Sequence, residues 1–433
     1  MIFKRGLDER PPAGELVLYG LQWLAISVPG VVIVGGIVGR LQFQDPAGQI
    51  VYLQKLFFVT AIALIVQLLF GHRLPLVLGP AAVLLIGVVA SQGHDLSTIY
   101  TSVMIGGAVL AFFSLFGLFP LLQRLFTPRV VAVVLLLIAF TLAAPIMELL
   151  VADRPGISAL ASLVFALTLL FAMFLLHRWL RGPKKAMLIV LAMAAGSLAF
   201  YLLFPAPSRA AAVSLPWIGS FGVHITSSLA FDQGVLISFL CCYLALAVND
   251  LGSIQSIGEV VRAEGMGMRV RRGITVTGVA NVLAGWLGVI GPVNFSLSPG
   301  VVMATGCASR FALLPTGLVL FVLAFSPAAL GWLTAIPPVV MGCILLYILC
   351  AQVSAGLLLA FQAPGGFLFE DGLVLGLPLL LGTIISFLPD SVLLSMPFVL
   401  RPILGNGFVV GVTAVMLLEH VILPESVRRS TVR

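Results

Sequence analysis

The sequence predicts an all-α polytopic membrane protein with fourteen transmembrane segments, arranged as two inverted seven-helix repeats. Three observations carry that prediction. Of the 433 residues, 61 % are hydrophobic and only 9 % charged, where a soluble chain carries roughly a quarter charged residues. Mean hydropathy is +1.18, so no water-facing surface can be assembled from this material. Apolar stretches recur fourteen times along the chain, and the third and tenth, at matching places in the two halves, are short and broken by proline and glycine.

A spanning helix needs about 20 residues, because a rise of ~1.5 Å per residue must cover ~30 Å. The polar opening MIFKRGLDERPPAGE precedes a stretch at 16–41 that is too long for the core of a signal peptide and reads as a first span that stays in the protein. Further spans follow at 51–71, 75–92, 98–119, 128–150, 156–177 and 186–206. The second half holds 232–257, 273–291, 295–308, 311–333, 337–360, 371–389 and 400–423. These divide into a first repeat over 1–226 and a second over 227–433. No soluble domain of useful size remains.

Charge sets the orientation. With the N-terminus in the cytoplasm, the ends of the spans place eighteen Lys and Arg on the cytoplasmic side and five on the other (Arg40, Lys55, Arg154, Arg209 and Arg401). This is a positive-inside bias, and it predicts both termini cytoplasmic; the expected location is a bacterial inner membrane. The net charge of +7 is explained by these flanking residues and does not call for nucleic acid. Cys241, Cys242, Cys307, Cys343 and Cys350 all lie in apolar stretches without a CxxC pair and read as packing residues.

An odd number of spans per repeat makes the two halves run in opposite directions. Interrupted segments at corresponding positions then point to a transporter whose site lies at the repeat interface. The breaks are alike: LGPAAV at 78–83 and LSPGVV at 297–302. Ser298-Pro299 reads as N-cap plus first helical residue, and Gly79-Pro80 as a weaker version of the same start. Each start offers free N–H groups and a partial positive charge. Backbone around Ala81, Ala82, Ser296, Leu297, Ser298 and Gly300 would then line a pocket that takes a small molecule, the alternative being a pair of proline kinks in ordinary helices.

Asn249 and Asp250 lie deep in the eighth span. A carboxylate there is costly and points to function, as a partner for a substrate N–H or as carrier of a coupling proton, with a structural acid paired to a buried Asn, Ser or backbone N–H as the alternative. Asn294, Gln22 and Asn281 are candidate lining groups, with interhelical hydrogen bonding the alternative for Gln22 and Asn281. His72 and Arg73 fit a tight cytoplasmic turn, and Glu419 and His420 are ambiguous. No metal-ligand spacing, phosphate loop or nucleophile elbow appears, and GMG at 265–267 lacks a nucleotide-binding context. Neither enzyme activity nor a cofactor is expected.

Several stretches resemble the nucleobase–ascorbate transporter family, which includes the bacterial uracil and xanthine permeases. GLQWLAISVPGVVIVGGIVG (20–39) is similar to the family's first helix, with Gln22-Trp23 where a Gln-His pair is usual. GHRLPLVLGPAAVLL (71–85) resembles the third-helix region, and GVANVLAGWLGVIGPVNFSLSPGVVMATGCASR (278–310) resembles helices nine and ten and the signature after them. IPPVVMGCILL (336–346) and NGFVVGVTAVMLLE (406–419) resemble helices twelve and fourteen.

The resemblance implies a core domain of helices 1–4 and 8–11 and a gate domain of helices 5–7 and 12–14 that also supplies homodimer contacts. It implies half-helices three and ten preceded by short crossed strands, and proton- or sodium-coupled uptake of a uracil- or purine-like base. Aligned on Gly252, the family's helix-eight glutamate falls at Asn249, with Asp250 next to it. Aligned on Gly300, the helix-ten Glu or Gln followed by Asn falls at Leu297 and Ser298. Ser253 stands where uracil permeases carry histidine, and Ala82 replaces a common aromatic. Three functions are consistent with this. The first is a nucleobase:cation symporter with Asp250 as the coupling acid. The second is an anion carrier of the sulfate or carboxylate type on the same fold. The third is a membrane scaffold or receptor without carrier function.

Overall fold

A computed structural model describes residues 3–117, 127–151, 157–180, 188–204, 215–295, 298–334, 336–361, 367–397 and 400–424. In chain order the helices begin with α1 (Ala13–Gln42) and α2 (Pro46–Leu69). The first break then gives β1 (Leu78–Pro80) and α3 (Ala82–Ala90), followed by α4 (Leu96–Leu115). Next come α5 (Pro128–Thr141), α6 (Ala143–Leu150), α7 (Ala159–Trp179) and α8 (Leu188–Leu203). The second half opens with α9 (Gln233–Val261) and α10 (Met266–Leu287), and its break gives β2 (Pro292–Asn294) and α11 (Ser298–Thr305). α12 (Leu314–Ala324), α13 (Pro327–Thr334), α14 (Pro338–Phe361) and α15 (Phe369–Ser386) follow. α16 (Asp390–Ser395), α17 (Arg401–Leu404) and α18 (Gly407–Leu417) end the series.

Among the described residues, eight helical stretches are long and apolar enough to cross a membrane, or nine if α12 and α13, bent by 102°, count as one span. The fourteen expected crossings are therefore not fourteen continuous apolar helices, for identifiable reasons. The 9 residues of α3 and the 8 of α11 reach ~14 Å and ~12 Å at ~1.5 Å per residue, less than half a bilayer core. α10 has 22 residues, but Arg269, Arg271 and Arg272 occupy its first turns.

Local chemistry fixes the element ends. Asp45 accepts from Gly48 N–H at 2.6 Å ahead of Pro46, and Asp232 accepts from Val235 N–H at 2.9 Å, so α2 and α9 start on side-chain caps. α9 ends at Arg262 in a left-handed conformation and α10 ends at Gly288 with φ 73°. The expected start at Gly79-Pro80 is displaced: Pro80 belongs to β1 and the helix begins two residues later, with Ala81 at its cap. Pro80 lies opposite Pro292. Neither ring nitrogen can donate, so the regular ladder weakens at this pair and the helix takes over just beyond it.

The helices pack mainly in two groups. α1–α4 pack with α9–α12, and α5–α8 pack with α14, α15 and α18, so each group draws on both halves of the chain. α4 and α10 approach closely: a Cβ on Gly107 would come within 2.8 Å of the Gly278 carbonyl and one on Gly278 within 2.7 Å of the Gly107 carbonyl. Such backbone-to-backbone contact replaces the hydrophobic drive that lipid removes.

The polar N-terminal segment is part of this body. Arg5 bridges Cys307 in parallel, Lys4 N–H donates to Gly306 O at 2.8 Å and Arg310 N–H to Leu7 O at 3.1 Å. Arg310 pairs with Asp8 at 2.7 Å and Arg5 with Glu15 at 2.9 Å.

Candidate functional site

The two breaks meet. β1 and β2 pair antiparallel, with Leu78 opposite Asn294 and Gly79 opposite Val293. Phe295 N–H donates to Val77 O at 2.9 Å and Ala81 N–H to Gly291 O at 3.0 Å, so the pairing extends one residue beyond each end of the ladder. Ser298 is the first residue of α11 rather than a cap outside it. Its hydroxyl accepts from Val77 N–H at 3.1 Å and donates to Phe295 O at 3.0 Å, tying one break to the other. Ala81 is buried and Ala82 half-buried at the start of α3, and Gly300 falls in the first turn of α11. Ser296 and Leu297 lie outside the described residues.

α9 brings its polar face to β2. Asn249, Asp250 and Ser253 fall within one turn, and all three reach Asn294. Asp250 Oδ1 accepts from the backbone N–H of Asn294 at 3.1 Å and from its Nδ2 at 2.5 Å. Asn294 O accepts from Ser253 Oγ at 3.1 Å and, at the long distance of 3.4 Å, from Asn249 Nδ2. Asp250, Ser253 and Asn294 are buried, and Asn249 is half-buried. Among the described residues Asp250 Oδ2 is buried without a hydrogen bond, although Thr277 of α10 stands beside the carboxyl and acts on it.

The surroundings close into a ring that sequence reasoning missed. His72, expected in a cytoplasmic turn, is fully buried. Its Nε2 lies 3.2 Å from Asn294 Oδ1, and its Nδ1 accepts from Leu74 N–H at 3.0 Å. His72 N–H donates to Gln67 Oε1 at 3.2 Å, and Gln67 Nε2 donates to Thr277 Oγ1 at 3.1 Å. One polar path thus runs from His72 through Asn294 to Asp250, and a second from His72 through Gln67 to Thr277, which stands beside the carboxyl. His72 lies in the connection between α2 and β1, outside both. Burial holds its imidazole far below the ordinary range, at about 3, with the Asn294 contact opposing that shift and the positive charge of Arg269 adding to it. Arg269 reaches it by donating to the backbone oxygens of His72 and Arg73, each at 3.0 Å.

The other candidates fall elsewhere. Gln22 is half-buried on α1, with its Oε1 enclosed and unbonded. Asn281 cross-links: it accepts from Tyr243 OH at 2.8 Å and donates to Thr277 O at 2.8 Å and Pro292 O at 2.9 Å. Glu419 is buried and accepts from Thr127 Oγ1 at 2.9 Å, far along the chain from this cluster. Phe295, unremarked in the sequence, lays its half-buried ring where a Cβ on Gly79 would approach to 2.2 Å and one on Gly30 to 3.2 Å. Glycine at 79 is what admits the ring to the strand crossing.

Two short helices that start at a crossing between the two halves of the chain match the discontinuous helices on which carriers build their sites. A family model described as "Permease family", the xanthine/uracil permease model, matches residues 14–391. The chain belongs to that permease family. The permease is 24 % identical to the xanthine permease of Bacillus subtilis over 93 % of each chain. It is 24 % identical to the nucleobase transporter PlUacP of Paenibacillus larvae over 79 % of this chain and 80 % of the relative. Among solved structures, the transmembrane domain of the cyanobacterial bicarbonate transporter BicA superimposes with TM-score 0.63 at 18 % identity, over 86 % of the permease and 96 % of that domain, which is a likeness of fold. The permease is thus a multi-pass membrane transporter and not an enzyme.

Proposed function

We propose that this permease is a secondary active carrier for a purine- or uracil-like nucleobase, taken up across the inner membrane together with a proton or sodium ion. In this reading both termini are cytoplasmic, and residues 1–226 and 227–433 are two inverted seven-segment repeats. α1–α4 and α9–α13 form the core domain that carries substrate. α5–α8 and α14–α18 form the gate, which also supports a homodimer. The observation that carries the reading is the carboxylate of Asp250, fixed through one oxygen beside the crossing of β1 and β2 with its second oxygen unbonded. A nucleobase edge presents N–H donors that such an oxygen accepts, and the Asn249 amide both donates and accepts. The Phe295 ring gives a flat base a surface to stack on. The names of the xanthine and nucleobase relatives support the same substrate class. As the only titratable side chain contributed by α9 to this cluster, Asp250 is assigned the coupling role.

The fold likeness to a bicarbonate transporter favours a second reading, in which an anion sits between the two helix starts. An ionised Asp250 in the same place repels that anion, so the nucleobase is preferred. Purified protein in proteoliposomes separates the two. Radiolabelled xanthine or uracil is expected to accumulate under an inward proton or sodium gradient, while sulfate and bicarbonate are not. Uptake of an anion without any nucleobase uptake would reverse the assignment.

A further inference from the structure

The ring around Asp250 has a direction. With the carboxyl ionised, Oδ1 can only accept, so the Asn294 amide must turn its NH₂ toward Asp250 and its Oδ1 toward His72. Asn294 Oδ1 is then an acceptor, and His72 Nε2 must carry the proton. The other ring nitrogen, Nδ1, accepts from Leu74 N–H and must be bare. Every link therefore donates the same way: Leu74 N–H to His72, His72 Nε2–H to Asn294, Asn294 Nδ2–H to Asp250. Reversing any one link sets two donors or two acceptors against each other. Burial of His72, Asn294 and Asp250 leaves no water-exposed alternative for the imidazole.

We infer that His72 is a positioning residue for Asp250: through Asn294 it commits Oδ1 to fixed donors and leaves Oδ2 as the oxygen that meets substrate or proton. The identity of what reaches Oδ2 rests on the carrier reading, but the positioning does not. The groups that face the carboxyl are Asn294 from β2 and Thr277 from α10, with Ser253 and Asn249 on its own helix also bound to Asn294. The cation acting on His72 is Arg269 of α10. His72 is held from behind by α10, where a Cβ on Gly273 would come within 3.0 Å of His72 Cβ. A carboxylate that accepts fixed donors keeps its charge more readily than one that does not. His72 therefore sets how easily Asp250 takes up a proton without touching substrate itself.

The test replaces the imidazole in two ways. His72→Leu removes both the acceptor for Leu74 and the donor for Asn294. His72→Gln rebuilds both, with a carbonyl for one and an NH₂ for the other. In lipid nanodiscs, the infrared band of protonated Asp250, assigned by its loss in Asp250→Asn, is followed against pH. In His72→Leu the band is expected to persist to higher pH, by about tenfold in proton activity, and His72→Gln is expected to restore the parent profile. The pH profile of xanthine uptake should move in parallel. An unchanged band in a folded His72→Leu protein overturns the inference, as does a shift that His72→Gln leaves in place. If His72→Leu does not fold, nitrogen-15 NMR of histidine-labelled parent protein decides, with the His72 signals assigned from His72→Gln. A neutral ring protonated at Nε2 supports the inference, and a charged or Nδ1-protonated ring overturns it. If the band shifts while xanthine is not transported, the positioning stands and the substrate reading falls.

Discussion

Asp250 and Asp371 are both buried aspartates in a lipid-facing protein, and their surroundings are opposites. Asp371 lies in the first turn of α15, where its Oδ1 meets Arg129 Nε of α5 at 2.7 Å and its Oδ2 accepts from Leu368 N–H at 2.9 Å. It has a cation, a helix start and a partner for each oxygen. Asp250 has amide and hydroxyl neighbours, no cation within ion-pairing distance among the described residues, and one oxygen unbonded. The first acid is neutralised and joins two helices. The second retains unsatisfied bonding capacity at the place where strands from the two halves cross. In the proposed reading the partner separates the structural acid from the functional one, since a buried charge without a partner is costly unless a ligand or proton meets it.

The comparison can be broken most forcefully at Arg129. Arg129→Ala strands Asp371 and is expected to cost about 3–5 kcal/mol, whereas Arg129→Met combined with Asp371→Leu should be close to neutral; thermal unfolding in detergent measures both. Asp250→Asn should behave in the opposite manner. It should leave the melting point near the parent value while lowering gradient-driven xanthine uptake about tenfold or more, the equivalent of losing one charge-assisted hydrogen bond. A large loss of stability in Asp250→Asn would make the two acids alike. Gly79→Ala tests whether the strand crossing tolerates the Phe295 ring: it should destabilise by about 1–3 kcal/mol, and Phe295→Ala in the same chain should relieve most of that. The last effect concerns acid. The unfolded chain protonates His72 near its ordinary 6.5, but the folded chain refuses that proton until about 3. The stability this site contributes is therefore complete above pH 6.5 and declines as pH falls toward 3. The drop in melting point between pH 7 and pH 4.5 should be smaller in His72→Gln than in the parent.

Much of this was legible in the sequence because lipid makes polar residues conspicuous. Asp250 stands out within an apolar run, and the two proline breaks stand out by their matched positions. The strand pairing leaves weaker traces, because three residues on each side carry no alternating pattern long enough to read as a strand. The helix start shifted from Pro80 to Ala82 for the same reason: a proline suits both a first helical turn and the end of a ladder, and only its partner Pro292, some two hundred residues away, decides. His72 misled because Gly-His-Arg after a long apolar helix reads as a surface turn, and Arg73 is indeed exposed. Nothing local marks His72 as turned inward toward Asn294. Gln67 and Thr277 were visible as polar residues in apolar spans, but their joint relation to His72 and Asp250 depends on packing between distant helices.

The pairing of β1 with β2 also bears on how the protein is made. When residues 78–80 leave the ribosome, their partner does not yet exist; it arrives only after some two hundred more residues, roughly ten to forty seconds later at about 5–20 residues per second. Through that interval the bare amide edge of β1 has nothing from its own chain to bind at a depth where lipid offers no hydrogen bonds. Biogenesis of the first half must therefore keep this segment near water or against the insertion machinery until its counterpart is synthesised.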